Sequence, residues 1–280
     1  MKLREKVLAI QEHAVRHGRL WAPLPQEYPT EVVDLIVYHQ LHLSMPVEPA
    51  LRSFRQLKED FVDWNEVRVS SLREVQEEIA DGPQALQLAV FIKDLLDFVH
   101  RERQDVSLEF LMEQNLGEIR KYLRRVRGLD GSTVDLVLRV RKEYPVFPIS
   151  PAMGAVLQRL GLRRRTETRG RMERLLHEIV EPTKALLLHY FLLNMSQRWC
   201  PPDEAYLDCP KCSMRPLCAF YSQWSLRHGK KNSPKNPRST RSSVNSSTRR
   251  SRPTRGGRIA SGKGGDDRVR SVVEDITDLR

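Results

Sequence analysis

Two periodic runs and the turn that joins them, LRRVRGLDGSTVDLVLRV at residues 123–140, decide how this chain folds. Leu123 and Val126 close the first run, and Val134, Val137, Leu138 and Val140 carry the second, so Gly128 to Gly131 must reverse the chain in a very tight turn. The pattern is a helix-hairpin-helix. Its turn holds two glycines, Asp130, Ser132 and Thr133.

Outward from the hairpin the helical period continues. Ala85, Leu88, Ala89, Ile92, Leu95, Leu96 and Val99 form one unbroken i, i+3, i+4 stripe. Further helices are predicted near 2–17, 29–42, 47–57, 71–80, 107–114, 116–126, 132–143, 151–160, 169–178 and 182–197. Alternating apolar runs bounded by turns do not recur, so the fold class is all-α. Ser70 and Ser71, Asp81-Gly82-Pro83, and Pro145 to Pro151 read as connectors or caps.

The formal charge is +11, but its distribution matters more than its size. Residues 230–263 hold eleven Lys or Arg and no acid, whereas residues 1–229 hold 33 basic against 31 acidic side chains. The excess therefore sits in the segment GKKNSPKNPRSTRSSVNSSTRRSRPTRGGR, poor in apolar residues and rich in Ser, Arg and Pro. Such a composition buries too little surface to fold alone, so 229–280 is expected to be a disordered basic tail that contacts nucleic acid non-specifically. The last ten residues, SVVEDITDLR, could form a short helix on a partner or a solvated end. No apolar run reaches bilayer-spanning length, and MKLREKVLAIQEHAVRHG reads as an amphipathic helix and not as a signal peptide. A soluble, intracellular protein of the cytoplasm or nucleoid, with no membrane partner and monomeric, is expected.

All four cysteines lie within CPPDEAYLDCPKCSMRPLC, at Cys200, Cys209, Cys212 and Cys218. Disulfides do not suit an intracellular chain, and four thiolates around a C-x2-C core suit either zinc or an iron–sulfur cluster. Four thiolates would leave no open coordination position, so the expected role is to staple the segment to the helical body.

In that order, VRGLDGSTVDLVL, YPVFPISPAMGAVLQRLGL and WCPPDEAYLDCPKCSMRPLC resemble the signature of the endonuclease III and adenine-glycosylase superfamily of base-excision repair. The resemblance covers roughly residues 25–222. It implies a helical barrel domain at 29–141, a second domain from 1–28 and 142–225, and a [4Fe–4S] cluster on the four cysteines. The first cysteine interval is longer than the family's usual one and carries Asp203, Glu204 and Asp208 where the family tends to present basic groups.

The resemblance also assigns roles. Family hairpins bind a DNA phosphate through backbone N–H groups, with glycine permitting close approach. Gly128 matches the first hairpin glycine; the second becomes Asp130, with Gly131 displaced by one, and Asp130 is expected to cap the helix on Ser132 or Thr133. Ser132 falls on the catalytic lysine position and Ser150 on the catalytic aspartate position, while Ala155 replaces the arginine that normally follows. Serine forms no Schiff base, and losing a central catalytic group costs on the order of 10⁴ in rate or more. Asp135, one turn beyond Ser132, could bring a substitute carboxylate or be a solvated side chain. His39 lies near the pocket end of its helix or packs there, and Gln40 matches a glutamine that fills the space left by an extruded base or ends a helix at the surface.

The function expected is a DNA-binding relative of endonuclease III that lacks standard glycosylase and lyase chemistry. Double-stranded DNA, damaged or intact, is the expected partner, held by Gln40, Arg127, Gly128, Asp130, Gly131, Ser132 and Thr133 with nearby Arg124 and Arg125. Two alternatives stay open. One is a divergent active glycosylase with a relocated carboxylate; the other is a scaffold that does not bind DNA.

Overall fold

The computed structural model of the protein describes residues 2–21, 28–79, 82–164 and 166–228. The expected basic tail, 229–280, and its terminal helix lie outside the described residues. Among the described residues all regular structure is helical, as the periodicity implies. The α-helices are α1 (Leu3–Trp21), α2 (Val32–Ser44), α3 (Val47–Asp60), α4 (Trp64–Val69), α5 (Leu72–Glu77), α6 (Ala85–Arg103), α7 (Leu116–Leu123), α8 (Gly131–Lys142), α9 (Pro151–Arg159), α10 (Arg169–Ile179), α11 (Ala185–Arg198) and α12 (Ala219–His228). Among the described residues, no helix is long and apolar enough to cross a membrane.

Local chemistry sets many of these boundaries. Asp63 accepts from the Glu66 amide at 2.8 Å to start α4, and Ser71 with Glu74 forms a reciprocal capping box on α5. Asn115, Ser150 and Thr168 cap α7, α9 and α10 in the same manner. Two helices were not legible as periodic runs. Helix α4 is too short to show a stripe, and α12 leaves Leu226 largely exposed. The helix expected at 107–114 is instead a 3-10 turn at Glu109–Glu113.

Two hydrophobic clusters organise the chain. The first gathers the inner faces of α2 to α8, with Leu88, Ile92, Leu95, Leu96 and Val99 from the α6 stripe. Burying each of those aliphatic side chains stabilises the fold by about 1.5–3 kcal/mol. The second gathers α1, α9, α10 and α11 with Phe147 and Ile149. Helix α2 serves both: Val33, Ile36 and Val37 face the first cluster and Tyr38 the second.

Candidate nucleic-acid interface

The hairpin consists of α7, the turn at 124–130 and α8. Gly128 adopts φ +79°, the left-handed conformation that a side chain disfavours, and a Cβ there would stand 3.4 Å from the Phe91 ring. Asp130 caps α8: its carboxylate accepts from the Ser132 amide at 2.7 Å and from the Ser132 hydroxyl. The Thr133 amide donates to the Asp130 carbonyl at 3.0 Å. The Ser132 and Thr133 amides of the first turn of α8 are thus engaged within the hairpin.

Gln40 braces this turn from α2. Its Nε2 donates to the Gly128 carbonyl at 3.1 Å, and its Oε1 accepts from the Thr133 hydroxyl at 3.2 Å. Gln40 is thus a clamp that joins α2 to the hairpin. Ser132 and Thr133 are fully buried. Ser150 is also buried, and its hydroxyl accepts from the Met153 amide at 3.3 Å. Ser150 is therefore the cap of α9, whereas Ser132 is held by the Asp130 cap of α8.

Asp135 is not a solvated side chain. It pairs with Arg120 at 3.4 Å and with Arg169 at 3.0 Å, and Arg169 continues to Glu173 at 2.5 Å. Burial holds the Glu173 carboxyl above its usual range although Arg169 opposes the shift. These groups line an open cleft of about 430 Å³ that also reaches Arg124 and Gly131. Arg120, Arg169 and Glu173 were missed from sequence; only the i, i+4 spacing of Arg169 and Glu173 hinted at a pair. Arg124, Arg125 and Arg127 of the arginine run are all exposed, and Arg125 pairs with Glu102 at 2.8 Å.

His39 is wholly buried, its ring 5.1 Å from that of His189 on α11 and 5.9 Å from Tyr190. Neither of its ring nitrogens has a hydrogen-bond partner among the described residues. Burial, then the neighbouring His189 and His42, pushes its pKa well below the ordinary histidine value. It is a packing residue at the seam between α2 and α11.

The cysteine segment corrects the cofactor expectation. Cys200, Cys209, Cys212 and Cys218 line one narrow apolar pocket. They do not converge into a ligand set: among the described residues, no group of three or more His, Cys, Asp or Glu side chains could hold a metal ion. The [4Fe–4S] assignment is overturned on that ground. Burial pushes the Cys209 and Cys212 thiols up to about 11. An arginine is the staple instead. The Arg159 guanidinium donates to the carbonyls of Cys200 at 3.3 Å, Pro201, and Pro202 at 2.7 Å, tying the segment to α9.

No protein-family model matches the chain. It is 25% identical over 180 residues to the transcriptional activator DEMETER of Arabidopsis thaliana, covering 58% of this chain and 9% of that protein. It is 28% identical over 102 residues to the DNA glycosylase/AP lyase ROS1 of Arabidopsis thaliana, covering 36% of this chain and 7% of that one. The chain thus spans less than a tenth of the length of these two relatives. Among solved structures, endonuclease III in a non-covalent complex with DNA superposes with a TM-score of 0.56 at 14% identity, over 81% of this chain and 100% of that one. With the hairpin in place, the chain shares the fold of endonuclease III and shows distant structural and sequence similarity to helix-hairpin-helix DNA-glycosylase superfamily members.

Proposed function

We propose that this chain binds duplex DNA through its helix-hairpin-helix and lacks the standard glycosylase and lyase chemistry of the proteins it resembles. The observation that carries this reading is the state of two hydroxyls. Ser132 and Ser150, at the positions where the family has its lysine and aspartate, are both buried, with the Ser132 hydroxyl on Asp130 and the Ser150 hydroxyl on the Met153 amide. Neither can form a Schiff base or carry the negative charge that stabilises a developing oxocarbenium ion. The binding half rests on the fold shared with endonuclease III, a DNA-bound protein, and on the hairpin residues 127–133. In this reading 29–141 form the barrel domain, 1–28 with 142–225 the second domain, and the basic tail adds sequence-independent contacts.

The test titrates the full-length protein with duplexes carrying an abasic-site analogue, a mismatch or no lesion, and then assays cleavable versions for base release and strand nicking. Lesion-selective binding without either product supports the reading. Base release that disappears in Asp135→Ala would instead identify a relocated carboxylate and refute the loss of chemistry.

A further inference from the structure

We propose that the cleft beside the hairpin binds a backbone phosphate of DNA through Arg120, Arg124 and Arg169, next to the engaged Ser132 and Thr133 amides; this rests on the DNA-binding reading above. The starting point is what the hairpin can no longer offer. The Ser132 amide donates to the Asp130 carboxylate at 2.7 Å and the Thr133 amide to the Asp130 carbonyl at 3.0 Å. A phosphate arriving there would have to displace a carboxylate and suffer its repulsion.

Arginine stands next to that blocked place. The guanidinium nitrogens of Arg169 lie 3.7 Å from the position a Cβ on Gly131 would occupy, directly against the first turn of α8. Arg120 lies across the same cleft, its guanidinium 4.7 Å from the centre of the Tyr144 ring, and Arg124 is exposed at the cleft. Asp135 holds Arg120 and Arg169 at 3.4 and 3.0 Å, acting as a positioning residue. A guanidinium carries five N–H donors in a planar fork, more than one or two carboxylate contacts use, so both can hold Asp135 and still donate to a phosphate oxygen. The side chains keep contact with solvent, at 26% exposure for Arg120 and 35% for Arg169. Groups already fixed before the ligand arrives lose less freedom on binding.

The experiment measures the affinity of the full-length protein for a short undamaged duplex over a series of salt concentrations. It compares wild type, Arg169→Ala, Arg124→Ala and Arg52→Ala; Arg52 is exposed on α3 and outside the cleft. Loss of one phosphate contact should weaken binding roughly five- to tenfold and reduce the slope of log affinity against log salt by about one. Both cleft variants are expected to show this, and Arg52→Ala to keep the wild-type slope. Because Arg169 also pairs with Asp135 and Glu173, its removal could disturb the fold, so Arg124→Ala decides if the Arg169 variant melts early. Wild-type binding with unchanged slopes in the folded cleft variants would overturn the cleft assignment alone. No binding by wild type at low salt would overturn the DNA reading and the cleft with it.

Discussion

Gln40 on α2 grips the hairpin turn 88 residues away, its amide nitrogen 3.1 Å from the Gly128 carbonyl. The same side chain accepts from the buried Thr133 hydroxyl at 3.2 Å, so one amide ties both sides of the turn to α2. Gln40→Ala would leave the Thr133 hydroxyl without its acceptor, and we expect a loss of about 1–3 kcal/mol in unfolding free energy. Gln40→Glu keeps the acceptor, loses the donor and should fall between. Urea denaturation of the three proteins checks this; equal midpoints would show that the clamp has no energetic weight.

Gly128→Ala should cost about 1–2 kcal/mol, because φ is +79° there and an L side chain is strained in that region. The new methyl would also press on Phe91, 3.4 Å away. Gly117→Ala, on α7 where φ is not positive, supplies the contrast. A thermal melt in which Gly128→Ala matches wild type would contradict the strained turn.

Asp130 acts as a cap on α8. Asp130→Ala should destabilise the protein by about 1 kcal/mol, while Asp130→Asn, which keeps an accepting oxygen, should change stability by a few tenths. Chemical denaturation separates the two; an equal loss in both would mean that the charge and not the cap matters.

Stability should fall as the solution becomes acidic, through the buried imidazoles of His39, His42 and His189. Burial lowers His42 and His189 to about 4 and His39 also well below its ordinary value. In the unfolded chain each titrates near 6.5, so between about 6.5 and 4 the unfolded state holds protons that the folded state does not. The stabilisation is fully present above that window and declines within it, by up to about 1.4 kcal/mol per pH unit for each imidazole. His39→Leu should flatten the decline, since neither ring nitrogen of His39 has a hydrogen-bond partner among the described residues. Denaturation at a series of pH values, giving the same slope in the variant, would exclude His39 as a contributor.

Arg159→Ala should loosen the cysteine segment. Its guanidinium bonds carbonyls of Cys200, Pro201 and Pro202, and losing charged hydrogen bonds of this type costs about 1.5–3 kcal/mol. Thiol-specific labelling under native conditions should then speed up at Cys209 and Cys212, both buried behind that contact. Unchanged labelling rates would show that another contact holds the segment.

The sequence by itself determined the all-helical fold, the hairpin and most helix boundaries, because these depend on the spacing of apolar side chains along one helix and on capping residues adjacent in the chain. The cap at Asp130 was legible for the same local reason, whereas the cap that Ser150 makes on α9 was not read. Cysteine spacing misled, since closeness in sequence does not make side chains converge on one point. The tertiary structure alone decided what Gln40 grips, how completely His39 is buried, and which arginines meet Asp135. Those contacts join residues far apart in the chain, such as Gln40 with Gly128 and Asp135 with Arg169, and their geometry exists only once α2, α8 and α10 have packed.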